Sequence, residues 1–295
     1  MKKTIGQTLK ELRINLNLTQ NQVCSEDLSR SALSKIESDN MNPSYQVILL
    51  VSQRLGIPYN EIVYIQNNFQ LTQKERIIYD FKRLRNSTYQ DAFTKLNQDI
   101  SAFLKIQNDR DIKELQAVLQ AISAFQQSQN FSVPTETVQF IWTRLEKQDD
   151  WQELDIYILS HIFFIFEVDT AKNIVKQLLT QIEKYRYFGL GDGLKVSVLL
   201  NMATFLKLNG RLIEADVYVS DALELAIIQH EPLMKLAAMY RQSEIMFIKG
   251  YKEKAQRQAQ HVFSALILLE ETNLYRNWNE EWLKIVNSDL IAKAY

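Results

Sequence analysis

Glycine and proline are scarce in this chain, 7 and 4 among 295 residues. A sheet needs turn residues at short, regular intervals. No long alternating apolar–polar stretch occurs either, so an all-α fold is expected. The single cysteine, Cys24, excludes an internal disulfide framework and suits a reducing cytoplasm. The most apolar run, Ile156 to Phe166, is too short for a membrane span and contains Ser160 and His161. Met1-Lys2-Lys3 begins like a secretion signal, but Lys10 and Glu11 arrive before any apolar region. A soluble, cytoplasmic protein with no membrane partner is expected. The groups of an active centre are missing as well. His161, His230 and His261 lack metal-ligand spacing, and His230-Glu231 is followed by Pro232 rather than a helix carrying a second histidine. There is no glycine-rich phosphate loop, and Cys24 has no base near it in sequence. The expectation is no enzyme, no cofactor and no metal.

What the chain does contain is a tightly patterned stretch from Thr19 to Leu55. Thr19-Gln20-Asn21-Gln22 has the form of a capping box, which predicts a short helix running to about Cys24. After Ser25, Glu26 and Asp27, Ser29 offers a second N-cap. Ala32, Leu33 and Ile36 then form one apolar stripe, leaving Arg30, Ser31, Ser34 and Lys35 on the other side. Two short helices joined by a tight turn, the second with free basic and hydroxyl side chains, describe a helix-turn-helix. Ile5, Leu9, Leu12 and Leu16 predict a covering helix before the pair. Tyr45, Ile48, Leu49 and Leu55 predict a fourth helix closed by Gly56, and Ile57 to Val63 a fifth.

Arg13-Ile-Asn-Leu-Asn-Leu-Thr-Gln20, Leu28-Ser-Arg-Ser-Ala-Leu-Ser-Lys-Ile-Glu37 and Asn42-Pro-Ser44 resemble the five-helix DNA-binding domain of phage repressors and Xre-type proteins over about residues 4–64. The resemblance implies that Gln20 contacts a phosphate and that Ser29, Arg30, Ser31, Ser34 and Lys35 face the major groove. It also implies a structural ion pair between Arg13 and Glu37. The side-chain chemistry is compatible, since an arginine can take guanine through two hydrogen bonds. The same charges could equally be solvated. Residues 1–65 hold 7 basic and 6 acidic side chains. Affinity for DNA rests largely on phosphate neutralisation, so a lone copy should bind weakly. A homodimer reading two half-sites of double-stranded promoter DNA is therefore expected.

The polar run Gln66-Asn67-Asn68 separates two apolar patterns, and Thr72 can cap the next helix. We place a DNA-binding domain at 1–65, a linker at 66–72 and a second domain at 73–295. Lys74, Arg76, Lys82, Arg83 and Arg85 cluster just after the linker and read as a solvated helix face. Helical segments are expected over Lys74–Leu84, Ala92–Ile106, Asp111–Phe125, Thr135–Glu146 and Trp151–Phe166.

The later part of the chain carries a degenerate repeat. Asn209-Gly-Arg-Leu-Ile-Glu-Ala215 is echoed by Gly250-Tyr-Lys-Glu-Lys-Ala255 and more faintly by Glu167-Val-Asp-Thr-Ala171. The pattern resembles tetratricopeptide helix pairs, with a small alanine where two helices approach, and it predicts a right-handed superhelix with a concave inner surface. Fourteen residues before each alanine lie Tyr157, Asn201 and Arg241. Asn201 and Arg241 interrupt apolar runs and need partners. They could satisfy neighbours inside the stack. Alternatively, an Asn matches a peptide group and an Arg a carboxylate of an extended ligand. His161 and Phe164 extend the surface beyond Tyr157, and Gln242 adjoins Arg241.

An Xre-type domain followed by some 220 residues of degenerate helical repeats resembles the Rgg/GadR/MutR regulators. That resemblance implies a cytoplasmic homodimer whose repeat domain binds a short signalling peptide in quorum sensing and whose first domain regulates promoters. Asn201 matches the family's pocket-lining Asn, whereas Phe164 stands where some members have an Arg. Tyr45 stands where some have a Cys. Two other readings stay open: repeats that bind a protein partner, or repeats that only dimerise.

Overall fold

The structure is a computed structural model describing residues 3–84, 90–128, 135–190 and 193–293. The described residues are helical, with one isolated backbone bridge between Ser25 and Leu28 and no named strand. The chain divides into two compact units, Met1–Arg83 and Leu84–Tyr295.

The first unit contains α1 (Ile5–Asn15), α2 (Gln20–Val23), α3 (Arg30–Glu37), α4 (Tyr45–Leu55), α5 (Tyr59–Gln66) and α6 (Gln73–Lys82). The capping box at Thr19 is formed: its hydroxyl accepts from the Gln22 N–H, and Gln22 Oε1 accepts from the Thr19 N–H at 2.7 Å. Ser29 caps α3 through the Ala32 N–H at 3.2 Å. Leu9, Val23, Leu28, Leu33, Ile36, Val51, Leu55 and Ile62 form the core. Leu16, expected on the buried stripe of α1, is instead its exposed C-cap, just past the helix. Helix α5 begins two residues later than the apolar pattern suggests. Pro58 biases Ile57 away from helical dihedrals and stands as the N-cap. Gly6 allows α1 to touch α3, for a Cβ there would lie 2.0 Å from the Ile36 carbonyl oxygen. The division between units falls after α6, not in the polar run at 66–72, so α6 groups with the first unit. Its Ile77 and Phe81 are buried, and burial of that apolar face outweighs the polarity of the preceding turn. Of the basic cluster, Arg83 lies over the Tyr79 ring with its centre 5.4 Å from the centroid, and Arg85 lies outside the described residues.

The second unit contains α7 (Gln90–Ile106), α8 (Arg110–Ser128), α9 (Thr135–Leu145), α10 (Glu153–Ile162), α11 (Val168–Lys184), α12 (Leu194–Leu208), α13 (Asp216–Ile228), α14 (Pro232–Ile248), α15 (Lys252–Leu268) and α16 (Thr272–Lys293). Each of α11 to α15 packs on the next, and α12 and α16 also pack on α14. This is the pattern of stacked helix pairs whose first helices line one side. Ala171, Ala215 and Ala255 are fully buried, as a close approach between paired helices requires. The turns after α12 and α14 use Gly210 and Gly250 at φ 71° and 91°. The joint between α10 and α11 carries no glycine and holds a 3-10 turn over Phe163–Ile165, whereas the joint between α12 and α13 holds both Gly210 and a 3-10 turn over Leu212–Ala215.

Candidate functional site

Two places collect functional side chains, one in each unit. In the first, Ser29, Arg30, Ser31, Ser34 and Lys35 are all exposed on or just before α3. Arg30 with Ser34, and Ser31 with Lys35, form two adjacent columns four residues apart. Leu33 and Ile36 on the opposite side are fully buried and anchor the helix. Behind it Arg13 closes on Glu37 with two bonds, Nε to Oε1 at 2.6 Å and a terminal nitrogen to Oε2 at 2.9 Å. Gln20 donates to the same Oε2 at 2.9 Å, so its amide braces this pair. Burial raises the Glu37 carboxyl, but the hydrogen bonds from Arg13 and Gln20 outweigh it and hold it below the ordinary range.

The second unit holds a cavity of about 760 Å³ bounded by α12, α14 and α16. Ser197, Asn201 and Thr204 reach it from α12; Met234, Ala237 and Arg241 from α14; Asn273, Asn277 and Glu281 from α16. Each set recurs at three or four residues, so each helix presents one face. Leu200, Leu233, Leu274 and Trp278 supply apolar wall. At one end Glu244 is fully buried and accepts from Lys207 Nζ at 2.6 Å and from Arg241. Lys207 also reaches Glu281 at 2.8 Å, and Arg241 lies 3.9 Å from it. Tyr240 stacks on Trp278, centroids 4.9 Å apart, and donates to the Trp278 carbonyl at 2.9 Å. Burial, then the nearby Glu244, pushes its hydroxyl far above the ordinary tyrosine value.

Only part of the expected inner surface lies at this cavity. Asn201 and Arg241 line it. Asn201 is exposed there with no hydrogen-bond partner among the described residues, whereas Arg241 is engaged by Glu244. Tyr157, His161, Phe164 and Gln242 are not among the lining residues. Tyr157 is buried, Phe164 packs on Phe125 at 5.3 Å, and burial pushes the His161 imidazole down to about 4. Gln242 accepts from Gln258 at 2.9 Å on α15. Helix α10 ends nine residues before Ala171, whereas α12 and α14 end seven before Ala215 and Ala255, so Tyr157 sits closer to its helix end than Asn201 and Arg241 do. Conversely, Trp278, Asn277 and Glu281 were missed, although a forward step of 40 residues leads from Arg241 to Glu281 and from Ala237 to Asn277.

Residues 94–280 match the C-terminal domain of the HTH-type transcriptional regulator Rgg, and residues 6–64 match a helix-turn-helix domain. The chain is a member of the Rgg family. It is thus a transcriptional regulator by family. The chain is 43% identical over 61 residues to the immunity repressor protein of Bacillus phage phi105, a match spanning 20% of this chain and 42% of the repressor. A Listeria monocytogenes EGD-e protein assigned as a transcriptional regulator has the same fold, with TM-score 0.75 and 20% identity over 98% of this chain and 99% of that one. The Streptococcus dysgalactiae SHP pheromone receptor Rgg2 gives TM-score 0.66 and 16% identity, covering 95% and 99%. Bacillus thuringiensis PlcR, in complex with the peptide PapR7 and DNA, gives 0.63 and 19%, covering 93% and 99%. This Rgg-family chain carries no described helix long and apolar enough to cross a membrane, and its described residues hold no His/Cys/Asp/Glu group able to bind a metal.

Proposed function

We propose that this Rgg-family protein is a cytoplasmic, peptide-responsive regulator that binds promoter DNA as a homodimer. The observation that carries the peptide reading is the cavity between α12, α14 and α16. Its apolar walls carry three asparagines, Asn201, Asn273 and Asn277, with no hydrogen-bond partner among the described residues. Each amide offers a donor and an acceptor, the complement of a peptide group, and the volume falls in the range of small-ligand sites. PlcR, of the same fold, has been solved with both a peptide and DNA. The exposed columns on α3 supply the DNA-facing side, with Arg30 and Lys35 for base edges or phosphates and the three serines beside them. Gln20 remains a candidate phosphate contact through the part of its amide not given to Glu37.

The near-neutral first domain needs a second copy to double its phosphate contacts. Signalling would be a shift between two dimer arrangements that place the paired α3 helices at different separations. The peptide acts only through its differential affinity for the two. Thermal melting with short apolar peptides, together with native mass spectrometry against extract of the producing strain's culture medium, tests this. A bound mass below about one kilodalton and a raised Tm are expected. No shift with any peptide in large excess, and no bound mass, would leave the repeats as a protein-binding or purely dimerising module.

A further inference from the structure

We propose that the groove is electrically polar along its length and takes a short peptide with both ends free, its carboxylate at Arg241 and Lys207 and its amino group at the opposite end. This rests on the peptide reading above and adds orientation and end chemistry to it. The distal end is acidic: Glu231 stands at the N-terminus of α14, and Glu270 and Glu271 just before α16. Glu270 and Glu271 have no ion-pair partner among the described residues. Two helix N-termini bring roughly half a positive charge each, which leaves the carboxylates of Glu270 and Glu271 only partly offset. That end favours a cation.

The proximal end is built for an anion. Lys207 and Arg241 face one fully buried carboxylate, Glu244. Two cations against one buried anion leave a surplus positive charge, which Glu281 neutralises. Glu281 has a side chain 44% exposed, so it can turn outward while Glu244 cannot. A ligand carboxylate therefore takes the place of Glu281 with no change in local charge. Between the ends, Asn201, Asn273 and Asn277 offer amides to the peptide backbone. From Glu231 to Arg241 is ten residues of helix, about 15 Å at 1.5 Å per residue. An extended chain covers that in about five residues.

The test uses the full-length protein and synthetic apolar peptides four to eight residues long, each made with free ends, N-acetylated, C-amidated or blocked at both. Competition is read by native mass spectrometry. Free-ended peptides of about five residues should dominate, amidation should weaken binding at least tenfold, and acetylation should weaken it several-fold. Glu281→Gln should tighten free-carboxylate peptides about threefold or more and leave amidated ones unchanged. Glu270→Gln with Glu271→Gln should weaken free-amine peptides only. Peptides that bind equally well whatever their end groups would overturn the polarity while sparing the peptide reading. Binding by no peptide of any kind would overturn both.

Discussion

In the N-terminal unit Glu37 is almost wholly buried, Arg13 grips both its oxygens, and Gln20 and the Leu18 carbonyl complete the set. In the C-terminal unit Glu244 is fully buried beneath Arg241, but Lys207 approaches it too, and a half-exposed Glu281 balances the remainder at the edge of a cavity. The first arrangement has one cation for one anion, both largely buried. The second has exchangeable charge next to open volume. A buried carboxylate alone therefore says little about function. What separates a clamp from a binding site is whether its charges are already matched by groups that cannot leave.

The largest effect expected from this contrast is on the clamp. Arg13→Ala leaves a buried carboxylate with only Gln20 as a partner and should cost the first unit about 3–5 kcal/mol. Hydrogen exchange of the α1–α5 amides in the full chain reads it; a loss under about 1 kcal/mol would make Arg13 a bystander. The pH response should separate the units next. His161 is pushed from 6.5 to about 4 by burial. Between those values the unfolded chain binds the extra proton, so the repeat unit loses stability as pH falls from 6.5 toward 4, by about 3 kcal/mol at most. Glu37 is lowered, so its contribution is present above the ordinary glutamate value of about 4.3 and is lost only as pH falls through its own lower one. The repeat unit should thus weaken first on acidification. His161→Gln should flatten that slope, and an unchanged slope would reassign it.

Arg241→Ala should be milder than Arg13→Ala, about 2 kcal/mol, because Lys207 stays on Glu244. Equal costs in urea unfolding would mean that the groove's charges are as closed as the clamp's, and the distinction between the two would fail.

The local signals that define the first unit are strong and contiguous. Thr19, Ser29, Gly56 and Thr72 each mark a helix end where the structure has one. A cap acts within one turn, so neighbours in sequence suffice to reveal it. Gly6 was not legible, because its constraint comes from the Ile36 carbonyl thirty residues away. In the second unit the buried alanines at 171, 215 and 255 were legible as a repeat. The register they set holds only where the helices end at the same distance from the alanine. It carries from Asn201 to Arg241 and on to Glu281, all at the cavity. It shifts at α10, which ends nine residues before its alanine where α12 and α14 end seven before theirs. The α16 wall went unread because no alanine mark lies beyond it.

The smallest effects on stability belong to the residues proposed to meet ligands. Arg30 and Asn201 are both exposed and neither has a hydrogen-bond partner among the described residues. Arg30→Ala and Asn201→Ala should each change stability by less than about 0.5 kcal/mol. Their binding effects should be larger and should not overlap. Arg30→Ala should weaken promoter binding by about 1–3 kcal/mol and relax sequence preference at one base position. Asn201→Ala should cost about 1 kcal/mol of peptide affinity and leave DNA binding without peptide unchanged. Gel-shift titrations beside peptide-induced Tm shifts separate the two. Two exposed polar residues that cost the fold nothing, yet each disable a different partner, are what a reader joined to a sensor requires. If both variants lost the same activity, the units would not divide the work in this way.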